Sequence, residues 1–406
     1  MAVGPAADRT RPRGIFLTQP WSFTWTEFSG SLGDLGTFLP LVLAMSLVCH
    51  LDLGMVLICA GLMNVWSGWL FRQLVPVQPM KAIAAVAIAE GMQSAEIAAA
   101  GLILGAVMLG LALSGSIGWV ATRIPQAVVR GIQLGVGTAL ILNGGHWLFG
   151  GSVGTAGADP PLGLPWLGWD SIVVAAVTAA VLSLSWFRRV PILLAVFLAG
   201  FVLIDFHAPQ AYHSVRFSLP DMGIDWPSGP DCLGGLLKGA IPQLPLTLLN
   251  SVLAVCALSN DYFPGRGVSP RRMAASVGIM NLLGIPLGGI PMCHGAGGLA
   301  AQYRFGARTG GSSVMLGILY IFLGLAFGCG LSSLLTAYPR SILAVMLIFS
   351  GGMLVAAAKD SLRGSDALVV LATGGLIVAF GTPTGFLAGL FFSLLRHNCC
   401  HGKRLA

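Results

Sequence analysis

Asp34, Lys81 and His294 each place a group able to hold or pass charge within otherwise apolar sequence. Asp34 lies in "SGSLGDLGTFLPLVLA" (29–44), which also carries Thr37. Lys81 follows two prolines in "PVQPMKA" (76–82), and His294 follows Cys293 in "GIPMCHGAGG" (289–298). A fourth stretch, "KGAIPQLPLTLLNS" (238–251), offers Gln243, Thr247 and Asn250 in place of an acid. A carboxylate in an apolar helix marks an ion path or a proton relay, and a lysine there is functional by default. Neutral donors suit an anion, although polar side chains between apolar helices also serve as glue. No nucleophile, base and orienting group recur together, and no phosphate-cradling loop of the GxxxxGK[ST] type is present. The chemistry on offer is the binding of a small anion and the carriage of a proton.

The elements that position these residues must be membrane helices. Of 406 residues, 55% are hydrophobic and 9% charged, with a mean hydropathy of +0.84, whereas a soluble domain carries about a quarter charged residues. Apolar stretches recur from Phe28 to Leu395, and in lipid only helices satisfy their own backbone within one segment. Spans are expected at about 28–48, 53–71, 76–91, 97–119, 125–147, 169–186, 190–206, 233–258, 271–289, 291–305, 311–333, 339–358, 366–380 and 382–396. The third and tenth are too short to cross about 30 Å of hydrocarbon. With the N-terminus inside, every base outside the spans except Arg216 and Arg340 falls on the cytoplasmic side, the asymmetry that orients membrane proteins. The net charge of +7 is therefore topological and gives no reason to invoke nucleic acid. Residues 1–20 lack the apolar core of a cleavable signal. The eight cysteines show no metal-ligand spacing; Cys399, Cys400, His397 and His401 could hold a metal, but a disordered tail is the favoured reading.

The two halves of the chain resemble each other. "GLMN" at 61–64 returns as "GIMN" at 278–281, "QPMKA" at 78–82 answers "IPMCHGA" at 290–296, and Pro125, Asp170 and Pro191 find partners in Pro339, Asp366 and Pro383. The order is kept throughout, and the largest drop in spacing falls across the loop at 148–168. A repeat of seven spans is odd, so its second copy is inverted in the membrane, a transporter signature with the substrate near the midplane. The fold class expected is an all-α polytopic membrane protein of fourteen segments in two inverted seven-segment repeats, with half-helices in spans 3 and 10. Residues 1–27 form a cytoplasmic segment, 28–206 the first repeat, 207–232 an extracellular linker, 233–396 the second repeat and 397–406 a cytoplasmic tail.

The repeat explains the prolines. Short segments interrupted by Gly or Pro at matching positions of inverted halves point to the binding site, and proline is tolerated in the first helical turn. Pro79 and Pro291 are therefore expected to start half-helices in mid-membrane after extended stretches at 73–78 and 285–290. Two such N-termini, each with roughly half a positive charge and free N–H groups, suit an anion, and Gly295, Gly297 and Gly298 let the backbone approach it closely. The expected substrate site comprises Thr37, Gln78, Pro79, Met80, Lys81, Gln243, Pro291, Met292, Cys293, His294 and Gly295, with Asp34 coupling protons. Two roles stay open for several of these. Lys81 either attracts a dianion or pairs with Asp34, and His294 is either a ligand or a neutral core histidine bonded to a carbonyl. Glu27 is expected at the membrane interface, Arg304 and Arg308 at the cytoplasmic end of span 10, and Asp366 as a helix cap.

At these motifs, and over nearly the whole chain, the sequence resembles the molybdate transporter family, a branch related to the sulfate permeases and sharing their fold with nucleobase–proton symporters. The resemblance implies a moving core of spans 1–4 and 8–11 that carries the site, and a gate of spans 5–7 and 12–14 that often forms a dimer surface. It implies a cell-membrane importer of molybdate, and of tungstate or sulfate as related oxyanions, coupled to protons, with no cofactor and both termini cytoplasmic. The sequence ends at Ala406 past a basic tail, so no regulatory domain of the sulfate-permease kind is expected. A sulfate carrier of the same fold and an oxyanion channel are the alternatives. A nucleobase carrier fits less well, because spans 8 and 10 lack the carboxylates that would hold such a ring.

Overall fold

The computed structural model describes residues 21–148, 200–204, 226–362 and 366–402, with positions 210 and 220. Span 6, most of span 7, most of the 207–232 linker and the extreme termini lie outside these residues. The first span is broken: α1 (Trp25–Ser31) and α2 (Leu35–Val48) meet at a 3-10 turn, Leu32–Asp34. Then follow α3 (Leu53–Phe71), α4 (Lys81–Glu90), α5 (Ser94–Ser114), α6 (Ile117–Arg123) and α7 (Gln126–Leu148). The second half runs through α8 (Gly229–Tyr262), α9 (Pro270–Gly284), α10 (Ala296–Phe305), α11 (Gly310–Ala337), α12 (Arg340–Ala358), α13 (Ala367–Phe380) and α14 (Thr382–Gly402). Six of the described helices are long and apolar enough to cross a membrane, or seven if the broken first span counts as one. Exposed Trp25, Trp69, Trp119, Phe322, Leu368 and Phe391 give the bundle the apolar outer face of a multi-pass membrane protein, against which lipid replaces water.

Local sequence sets the helix ends. The Asp52 carboxylate accepts the Met55 N–H at 2.8 Å to start α3, and Gln93 with Glu96 forms a capping box at α5, satisfying donors that the first turn leaves free. α8 carries Pro242 and Pro245 inside it, flanked by π-helical runs Gly235–Ala240 and Thr247–Ala254. Each proline deletes an N–H and displaces a carbonyl, and the wider π turns absorb the strain around Gln243. Such π stretches gather at functional positions.

Small residues bring the long helices together. A Cβ on Gly61 would stand 2.5 Å from the Gly317 carbonyl oxygen, and one on Gly317 the same distance from that of Gly61. Gly54 faces Gly324 and Gly68 faces Gly310 along the same seam between α3 and α11, one contact every two turns. Between α5 and α9 the corresponding pair is Gly105 and Gly278; between α7 and α12 it is Gly137 and Gly351. In lipid, helices associate through this close backbone contact rather than through hydrophobic burial. Two packing groups result: α3 with α11 and α5 with α9, then α7 with α12 and α13, and α13 with α14.

Two expectations need correction here. The half-helices begin at Lys81 and Ala296, so Pro79 and Pro291 precede the first turns instead of occupying them. Pro79 lies in strand β1 (Val77–Pro79), and the Pro291 carbonyl accepts the Met80 N–H at 2.9 Å. Residues 285–287 form a 3-10 turn rather than an extended run, ended by Gly288 at φ 85°. Other polar residues also differ in detail. Glu27 is buried, and its carboxylate accepts the N–H groups of Arg308 (3.0 Å) and Thr309 (3.1 Å). Arg308 stacks on Tyr303 at 3.6 Å. Asp366 occupies the N-cap position of α13 but turns its carboxylate to Arg396.

Candidate functional site

Extended backbone inside a membrane protein survives only where other protein groups satisfy it. Here two such segments satisfy each other. β1 pairs antiparallel with β2 (Met292–His294), with Val77 opposite His294, Gln78 opposite Cys293 and Pro79 opposite Met292. Each strand then turns into a short helix, α4 or α10, of 10 residues. At 1.5 Å per residue each is about 15 Å long, half the hydrocarbon thickness. Both helices therefore start deep within the protein.

Gln243 fixes the first start. Its Oε1 accepts the N–H groups of Ala82 (2.9 Å) and Ile83 (3.3 Å), while its Nε2 donates to Thr247 Oγ1 at 3.0 Å. The N-cap of the second helix is Gly295, and no side chain caps that end. The Gln78 amide lies flat over Gly295 and reaches Gly298, where an added Cβ would overlap it. A Cβ on Gly298 would also approach an Asp34 carboxylate oxygen to 2.6 Å. Absent side chains at 295 and 298 thus make room for Gln78 and Asp34 side by side.

These groups open on a cavity of about 320 Å³ lined by Asp34, Gln78, Pro79, Lys81, Gln243, Cys293 and Gly295. At about 30 Å³ per water in the liquid, it has room for a small polyatomic ion together with several waters. Its opposite wall comes from α7 and α12, through Gln133, Leu140, Phe349, Ser350 and Leu354. Asp34, Gln78, Lys81, Gln133, Gln243, Asn250, Ser251 and Ser350 supply its polar lining. Gln78 Nε2 is buried with no hydrogen-bond partner among the described residues, and so is Ser350 Oγ. Lys81 adds an ammonium, and Gln133 accepts from Arg130 at 3.0 Å through Oε1, keeping its amino group for donation. Asp34 is the ionisable acid of the lining.

The expected site residues divide by position. Gln78, Pro79, Lys81, Gln243, Cys293 and Gly295 line the cavity with Asp34, whereas Met80, Pro291, Met292 and His294 are buried elsewhere. The His294 ring is held between the Pro76 carbonyl (3.1 Å) and Ser276 Oγ (3.0 Å), with Phe71 edge-on at 5.5 Å. Alternation along β2 turns Cys293 to the cavity and its neighbours away. The side chain of Thr37 lies outside what the structure describes. Sequence reasoning missed Gln133, Ser350 and Ser251. Gln133, a lone amide amid "VVRGIQLGVG", was open to the same argument as Gln243; a serine in an apolar helix carries no such signal. Among the described residues no group of three or more His, Cys, Asp or Glu is placed to hold a metal.

Paired discontinuous helices whose starts share a donor-lined cavity, inside a bundle of apolar spans, define a membrane transport protein. The fold matches SLC26A9 (TM-score 0.67, 15% identity, 91% of this chain and 64% of that chain). It also matches the murine Slc26a9 anion transporter in an inward-facing state (0.68, 14%, 96% and 73%). The transmembrane domain of the cyanobacterial bicarbonate transporter BicA gives 0.63 at 16% identity, covering 90% of this chain and 96% of that one. A family described as "Molybdate transporter of MFS superfamily" matches residues 26–140 and 235–354. Molybdate transporter 1 and Molybdate transporter 2 of Arabidopsis thaliana are each 38% identical, across 89% and 96% of this chain and 86% and 91% of theirs. Molybdate transporter 1 of Chlamydomonas reinhardtii is 33% identical across 96% of this chain and 94% of its own. The chain belongs to the molybdate transporter family.

Proposed function

We propose that this protein is a secondary active transporter that imports molybdate with protons. The observation that carries the reading is the cavity's composition: Gln78, Lys81, Gln133 and Ser350 offer donors, and Asp34 brings one acid. A tetrahedral dianion offers only acceptors, so it matches such a lining, and the starts of α4 and α10 add their partial positive charge. Relatives named as molybdate transporters direct the choice among oxyanions.

Asp34 supplies the coupling. A dianion beside a carboxylate is repelled, and protonating Asp34 removes that repulsion, so anion and proton bind cooperatively. The proton gradient then works against a membrane potential that opposes anion entry by about 2.3 kcal/mol per charge per 100 mV. The two packing groups support a reading of alternating access. We assign α1–α5 and α8–α11 to a core that moves against a gate containing α7 and α12–α14. Two inverted seven-span repeats in a cell membrane, termini inside, underlie this division. The glycine contacts favour the repeat: Gly61 aligns with Gly278, and its contact with Gly317 is answered by that of Gly278 with Gly105.

Uptake of radiolabelled molybdate into proteoliposomes, with unlabelled molybdate, tungstate, sulfate and uracil as competitors, tests the substrate. Displacement by tungstate and molybdate but not uracil is expected. Stronger displacement by sulfate than by molybdate makes the protein a sulfate carrier instead.

A further inference from the structure

Ser350 sits in α12, on the wall of the cavity opposite the half-helices. It is 4% exposed, and its Oγ has no hydrogen-bond partner among the described residues. A helical serine or threonine ordinarily returns its hydroxyl to the carbonyl four residues back. Thr373 in α13 does so to Val369 at 2.6 Å, and Thr138 in α7 to Leu134 at 2.8 Å. Ser350 does not, and leaving a buried hydroxyl unpaired is costly.

Backbone packing fixes where that hydroxyl stands. The next residue, Gly351, faces Gly137 of α7 so closely that a Cβ on either would come within 2.7 Å of the other's carbonyl oxygen. Gln133 lies one helical turn before Gly137 and lines the same cavity, with its Oε1 occupied by Arg130. Across the cavity, Gln78 Nε2 is a second buried donor without a partner. Two donors without a partner among the described residues therefore belong to side chains that line one cavity from different packing groups.

We infer that Ser350 is a substrate-contacting residue contributed by the gate: its hydroxyl donates to an oxygen of the bound oxyanion, opposite the oxygens held by Gln78 and the half-helix starts. This rests on the oxyanion reading above. It adds that the anion is gripped from both sides, so full affinity exists only while core and gate are apposed as they are here. Four tetrahedral oxygens can accept from donors on opposing walls at once.

Equilibrium binding of sodium molybdate to purified wild type, Ser350→Ala and Ser350→Thr, beside thermal unfolding without ligand, tests this. Ser350→Ala is expected to bind roughly tenfold more weakly, about 1.4 kcal/mol, while its ligand-free Tm stays level or rises because an unpaired buried hydroxyl is gone. Ser350→Thr, which keeps the hydroxyl, is expected to bind more tightly than Ser350→Ala. Unchanged molybdate affinity in Ser350→Ala overturns the inference and leaves the oxyanion reading standing. A lowered ligand-free Tm with equal weakening in Ala and Thr variants assigns Ser350 to packing and also overturns it. Failure of wild type to bind molybdate, tungstate or sulfate overturns both readings.

Discussion

The side-chain amide of Gln78 rests against the Cα of Gly298, at the point where the Asp34 carboxylate also comes close. A donor from the first half-helix entry, an acid from the broken first span and a bare backbone position in the second half-helix thus meet in one place. Gly298→Ala should push Gln78 and Asp34 apart and weaken molybdate binding about tenfold or more, roughly 1.4 kcal/mol. The helix itself should be retained, since alanine is the better helix former. Equilibrium binding on the folded variant checks this, and wild-type affinity would show that the two side chains need not be neighbours.

Lys81→Met keeps the stem of the side chain and deletes its ammonium. If the charge attracts the dianion, binding should weaken at least about tenfold, with the loss reduced at high salt. An unchanged affinity would leave Lys81 as scaffold and assign the attraction to the half-helix starts.

Asp34→Asn imitates the protonated acid. It should still bind molybdate and exchange it across the membrane at symmetric pH, but lose acid-stimulated uptake. The sign follows from repulsion: wild-type binding strengthens as external pH falls and Asp34 takes up a proton, whereas the Asn variant stays level. Uptake against external pH, with counterflow at symmetric pH, separates these. A variant that retains the wild-type pH profile would move proton coupling to another group.

Gly61→Leu should drive apart α3 and α11, and Gly278→Leu should do the same to α5 and α9, each costing about 1–3 kcal/mol as an overpacked interface. Gly145→Leu is the control, because nothing lies within 4 Å of the Cβ it would add. Thermal unfolding in detergent should show a lower Tm for the first two and no change for the third. Equal Tm values in all three would remove close glycine packing as a source of stability.

Much of this architecture was legible in the sequence because apolar runs and prolines act locally. The length of the apolar runs gave the long helices, and the paired motifs around Pro79 and Pro291 led to the segments that form β1 and β2. The prolines' own positions were misjudged: their rule concerns the first helical turn, whereas here each serves an extended entry stabilised by pairing with a partner more than two hundred residues away. Of the two readings of His294, the strand pairing favours the core histidine, held by the Pro76 carbonyl and Ser276. The second wall of the cavity was hidden for a different reason. Ser350 and Gln133 matter because α7 and α12 are brought together at Gly137 and Gly351, a tertiary contact with no local signature.

The most direct test of proton-driven molybdate import is accumulation in proteoliposomes with an imposed gradient, acidic outside and neutral within. The account predicts that radiolabelled molybdate rises inside above its external concentration and falls back when a protonophore collapses the gradient. Uptake that stops at equal concentrations, or that ignores the protonophore, would contradict it.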